Sequence, residues 1–192
     1  MGLELTELIL ETGERYAVEF EDNDWANLRT FGDWIDMVKQ KIGRTLDPPI
    51  EESGYEIILQ SLLAELRLRL PKSVEINEGT QLRKLKRYAK RYEVCSFVRQ
   101  RFPELPSWVC QEFEGSGIGC AMWFWFVVRP PRRTVGDVAK VITERRQKLL
   151  KVRDCSVADI ENELRDYMCK AFALKPEEIQ KESDLVTDLG LG

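Results

Sequence analysis

At 192 residues, 43% apolar and 32% charged, the chain is long enough for one large domain or two small ones and has the composition of a soluble globular protein. It contains no histidine, which removes the commonest general base and the imidazole of metal sites and nucleophilic triads. No apolar stretch reaches bilayer-spanning length and the acidic start does not read as a signal peptide, so a cytoplasmic setting is expected.

Charge is unevenly spread. Residues 1–40 hold ten acidic and three basic side chains, and residues 154–188 hold ten and four, whereas the stretch between them holds thirteen and twenty-two. Two acidic ends flank a basic centre, an arrangement that suits either mutual contact or separate partners. Cys95, Cys110, Cys120, Cys155 and Cys169 form no C-x-x-C pair and read as buried, reduced thiols.

In chain order, periodicity predicts a first amphipathic helix over 3–16. Leu3, Leu5, Leu8, Ile9 and Tyr16 lie mostly on one side, and Glu4, Glu7, Glu11 and Glu14 step along another. Asp22-Asn23-Asp24-Trp25 predicts a short turn and 31–42 the next helix, followed by a linker over 44–54 with Pro48, Pro49 and Gly54. A helix over 55–69 carries Tyr55, Ile58, Leu59, Leu62, Leu63 and Leu66 on one face. One strongly basic helix is expected over 83–101, broken by Pro103 and Pro106, with Ser96 as a spacer in its body. The Gly-rich turn 115–119 reads as a bend, with no phosphate-binding fingerprint. After the aromatic run 122–128 and Pro130-Pro131, helices follow over 134–150 and 156–173. The second of these needs a partner for Ile160, Leu164, Tyr167, Met168, Ala171 and Phe172. A turn at 174–179 and a long loop to 192 complete the chain.

Two internal echoes stand out. Arg29-Thr30-Phe31-Gly32-Asp33 returns as Arg133-Thr134-Val135-Gly136-Asp137, and Ile76-Asn77-Glu78-Gly79-Thr80-Gln81-Leu82 as Ile179-Gln180-Lys181-Glu182-Ser183-Asp184-Leu185. Offsets of about 103–104 residues imply a repeated unit of that length. Each R-T-x-G-D run predicts a Thr N-cap with an acid three positions on.

The closing run Asp188-Leu189-Gly190-Leu191 and the opening run Leu3-Glu4-Leu5-Thr6-Glu7-Leu8, read one after the other, resemble the centre of an acyl carrier protein. That family's pattern there is D-L-G-x-D-S-L-(D/E)-x-x-E-L. The resemblance implies an all-α protein of two carrier-like helical bundles. One is discontinuous, from 1–43 plus 154–192, and one is divergent, over 55–153. It implies protein partners, of the kind of fatty-acid or polyketide enzymes, docking on Glu4, Glu7, Glu11 and Glu14; a solvated helix face is the plainer alternative. It also sets Gly2 where the family attaches phosphopantetheine to serine, and Arg83-Lys84 at the matching place in the middle unit. A glycine has no oxygen to accept that arm, so the expectation is a non-catalytic binding or scaffold module without cofactor or metal. A genuine carrier whose serine lies outside this sequence is the alternative. The two flanks are expected to re-associate, within one chain as a circular permutation or between chains as a homodimer by helix exchange.

Two segments admit other readings. Arg83, Lys84, Lys86, Arg87, Lys90 and Arg91, interleaved with tyrosines, contain the residue types of a nucleic-acid surface. A solvated basic face, or contact with the acidic flanks, is preferred. The run 122–128 reads as core or dimer contact, with a membrane-surface hairpin beside Arg129, Arg132 and Arg133 as the sharper alternative and a peripheral membrane adaptor as the function that would follow.

Overall fold

The computed structural model describes residues 3–25, 28–46, 54–89, 93–107, 109–110 and 133–191. Among them the regular elements are helices, and the extended contacts are two isolated bridges. The protein is all-α in this sense. Gly2, Lys90, Arg91, the Gly-rich turn 115–119 and the aromatic run 122–128 lie outside the described residues.

The chain divides into two compact units: Met1–Ile50 together with Gln147–Gly192, and Glu51–Arg146 between them. The flank unit contains α1 (Leu3–Tyr16), the single turn α2 (Asp22–Trp25) and α3 (Phe31–Thr45). The middle unit contains α4 (Tyr55–Arg69), α5 (Leu82–Ala89) and α6 (Val94–Arg101). The long helix α7 (Val135–Arg153) belongs to the middle unit up to Arg146 and to the flank unit from Gln147. α8 (Val157–Phe172) and a 3₁₀ turn at Pro176–Glu178 complete the flank unit. The division therefore falls inside α7 rather than at residue 154, because Leu149 of that helix is buried in the flank core.

Three of the helices begin where the sequence supplies a side-chain cap. Thr30 accepts from the Asp33 N–H at 3.1 Å while Asp33 accepts from the Thr30 N–H at 2.9 Å, closing a capping box ahead of α3. Thr134 and Asp137 exchange the same pair of bonds at α7, and Ser156 and Asp159 at α8. These reciprocal bonds satisfy amides that the first helical turn would otherwise leave orphaned. α3 then buries Phe31, Trp34, Ile35, Val38 and Ile42, and runs to Thr45, two residues into the segment expected as linker.

The two flanks share one core. Leu5, Leu8, Ile9 and Tyr16 of α1 and the buried face of α3 pack with Ile160, Leu164 and Met168 of α8 and with Ile179, Leu185, Leu189 and Leu191. Tyr167 and Phe172 border this cluster, while Ala171, expected inside, is exposed. Polar ties join the same pieces: Arg15 and Tyr16 reach the two carboxylate oxygens of Glu163 at 3.0 and 3.1 Å, across 148 and 147 residues.

Two expectations for the middle unit are corrected. The single basic helix over 83–101 is two helices, with Glu93 in the left-handed region at φ 48° ahead of α6. At about 100° per residue, one continuous helix would set Leu82 and Leu85 opposite Val94, Cys95 and Val98. The break lets both sets enter one core with α4. The thiols are also not all reduced: Cys95 and Cys110 form a disulfide, their Cα atoms 5.4 Å apart. Cys169 is half-buried and free, and Cys155 is free but exposed, not buried as expected.

Candidate functional site

The echoed segments bond to each other, and they do so in the same way in both units. In the middle unit the N–H groups of Val135 and Gly136 donate to the carbonyls of Thr80 and Glu78 at 3.0 and 2.9 Å, and Leu82 N–H donates to Arg133 O at 3.1 Å. In the flank unit Phe31 and Gly32 donate to Ser183 and Lys181 at 3.0 and 2.8 Å, and Leu185 to Arg29 at 2.8 Å. Both loops tighten by the same device. The Asn77 N–H donates to the Thr80 hydroxyl at 2.9 Å, and the Gln180 N–H to the Ser183 hydroxyl at 3.0 Å.

The glycine of each R-T-x-G-D run sits tight against the segment it pairs with. A Cβ on Gly32 would stand 3.0 Å from the carbonyl oxygen that its own N–H bonds. A Cβ on Gly136 would stand 2.6 Å from Glu78 Cγ and 3.2 Å from Tyr55 Oη. Tyr55 in turn donates to Glu78 at 2.7 Å; burial and that bond push its phenol up to about 12.

In the flank unit the pairing positions the loop 184–191. Asp184 Oδ1 accepts from the N–H groups of Val186 and Thr187 at 2.9 and 2.8 Å, which holds its carboxyl below the usual range. Asp188 accepts from the Asp184 N–H at 2.8 Å, and the Leu191 N–H returns to Leu185 O at 2.9 Å. Gly190 takes φ 68°, a conformation that favours glycine. These bonds seat Leu189 and Leu191 in the same core as Leu5 of α1.

α1 buries one face and turns its acids outward. Glu4, Glu7, Glu11 and Glu14 are all exposed, and at about 100° per residue they fall within about 80° of arc. Leu10 stands beside this stripe at 66% exposure. Sequence periodicity alone missed Leu10, although its place between Glu7 and Glu11, off the apolar side, was a usable signal. Along the border of the stripe, Tyr167 has its phenol raised by burial and by the charges of Glu11 and Glu7, with the Arg15 guanidinium 5.1 Å from its ring centre. An acidic stripe with one large aliphatic at its border is suited to a basic protein surface with an apolar contact beside it.

The basic residues occupy α5, where Arg83, Lys84, Lys86 and Arg87 are exposed while Leu82 and Leu85 are buried. A buried carboxylate also lies in the middle unit: Glu104 Oε1 accepts from Arg146 Nε and Nη2, both at 2.7 Å. Among the described residues there is no group of three or more side chains placed to hold a metal ion, and no helix is long and apolar enough to cross a membrane. No family model, curated protein or solved structure matches the chain.

Proposed function

We propose that the protein is a carrier-derived binding module: two acyl-carrier-like bundles, the flank one discontinuous, that recruit a protein partner and carry no phosphopantetheine arm. The observation that carries this reading is the exposed stripe Glu4, Glu7, Glu11 and Glu14 on α1. It stands on the helix whose sequence, with the Asp188-Leu189-Gly190-Leu191 loop, bears the carrier resemblance. The matching backbone pairing in the two units supports their being copies of one fold. Glycine at position 2 and Arg83-Lys84 at the matching middle position remove the hydroxyl that arm attachment requires. The module then acts by docking alone, with the acidic stripe steering a basic partner surface and Leu10 supplying the apolar contact.

A broad-specificity phosphopantetheinyl transferase tests both halves of the reading, since enzymes of that kind dock on a carrier's acidic second helix. With coenzyme A present, the expected result is binding without any gain in intact mass. Binding is expected to be lost in the Glu7→Lys/Glu11→Lys variant. A mass gain of one arm, or binding untouched by the charge reversal, overturns the proposal.

A further inference from the structure

α4 is apolar on more than the face it buries. Ile58, Leu59, Leu62, Leu63 and Leu66 lie in the middle core, yet Ile57 is 60% and Leu68 79% exposed. Between them stand half-buried Ser61 and exposed Ala64. Positions 57, 61, 64 and 68 fall within about 60° of arc at 100° per residue, so they form one stripe. α8 gives a comparison, its outer positions being polar and its Glu163 bonded to Arg15 and Tyr16. Laid on α4 so that Ile160, Leu164 and Met168 match the buried Ile58, Leu62 and Leu66, it carries exposed Asp159, Glu163, Asp166 and Lys170 where α4 has Ile57, Ser61, Ala64 and Leu68. A helix that is apolar on both sides is built to be covered on both sides.

We propose that this outer face of α4 packs antiparallel against the same face of a second copy of the chain, forming a two-fold dimer. A two-fold interface must be self-complementary, and the stripe is. In one antiparallel register Ile57 meets the partner's Leu68 and Ser61 meets the partner's Ala64. The large side chains then close the two ends, and the small ones let the helices approach at the crossing. Charge selects the same direction. Glu56 stands exposed in the first turn and Arg67 exposed in the last, on one flank of the stripe. Antiparallel packing brings each Glu56 to the partner's Arg67, whereas parallel packing turns this flank toward the partner's opposite one and makes no such pair. Gln60, midway along that flank and donating to Glu56 at 2.9 Å, is neutral where the two flanks meet. This inference does not depend on the carrier reading.

Sedimentation velocity on the full chain from about 1 to 100 μM is expected to show a concentration-dependent monomer–dimer equilibrium. Leu68→Glu is expected to raise the dimer dissociation constant by at least about tenfold. Its circular dichroism should not change, because the Leu68 side chain is largely exposed in the single chain. Register is read by crosslinking with Cys120, Cys155 and Cys169 replaced by serine. Ile57→Cys/Leu68→Cys should give a covalent dimer under mild oxidation. Neither single variant should, since in the antiparallel register like positions lie about 16 Å apart, beyond the ~7 Å reach of a disulfide. A monomer at every concentration overturns the proposal, whether the face is then covered by the chain's own aromatic run or by a different protein. So does a dimer indifferent to Leu68→Glu, or single variants that crosslink as well as the double one.

Discussion

Leu164→Ala tests whether the two flanks stand or fall together. Leu164 is fully buried in a core that takes side chains from α1, α3, α7, α8 and the loop to Leu191. Truncating such a leucine removes its transfer free energy and leaves a cavity, costing about 2–5 kcal/mol. A domain holds only about 5–15 kcal/mol in all. A loss of about 3 kcal/mol speeds exchange of the slowest amides by about 100-fold, since every 1.4 kcal/mol is tenfold. Hydrogen exchange read by mass spectrometry is therefore expected to show protection falling together in α1, α3 and α8, although α1 and α8 are far apart in sequence. Leu10→Ala, on the exposed side of α1, is the control and should move stability by no more than about 0.5 kcal/mol. Protection lost in α8 but retained in residues 3–16 would refute the reasoning, because a single core cannot open on one side only.

The caps and the disulfide give further tests. Thr30→Ala and Thr134→Ala should each cost about 1 kcal/mol in denaturant unfolding, the usual worth of a threonine N-cap. Asp33 is held below its ordinary 3.8, chiefly by the Thr30 N–H, so its contribution is complete above that pH and is lost as pH falls through its lower folded value. The stability difference between wild type and Asp33→Asn should accordingly be constant at neutral pH and shrink only in that acid range. A difference that grows on acidification would contradict this sign. Reducing Cys95–Cys110, which closes a loop of 15 residues, should destabilise the middle unit by about 3 kcal/mol. Without reductant, neither cysteine should be alkylated after unfolding in guanidinium; labelling at either position would show the bond absent.

What was legible in the sequence is what is local. A capping box involves residues three apart, so Thr30–Asp33 and Thr134–Asp137 could be read directly, and the helices after them followed. The exposure of the four glutamates of α1 was equally readable from period, with Leu5, Leu8 and Ile9 fixing the opposite face. The two echoes were visible as strings, but their pairing with each other is a tertiary fact that no spacing reveals. The Cys95–Cys110 bond was hidden for a similar reason, since only the packing of α6 brings those Cα atoms to 5.4 Å. The break at Glu93 was masked by the basic residues on both sides, although the opposed faces of Leu82/Leu85 and Val94/Val98 contained it. The outer stripe of α4 was missed because periodicity gathered only its buried leucines. Ile57 and Leu68 are conspicuous only once those leucines are seen to be covered without them.

The two bridges also differ in what they ask of a chain as it is made. Gln81 meets Thr134 within a contiguous stretch, so the middle unit can close as soon as that stretch has left the ribosome. Thr30 must wait for Asp184, near the far end of the sequence. Closing the longer loop costs only about 1 kcal/mol more, since each doubling of length adds about 0.6 kcal/mol. The heavier consequence is one of time: α1 and α3 are made first and buried last, holding Leu8, Trp34 and Val38 open to solvent or to a chaperone until α8 arrives.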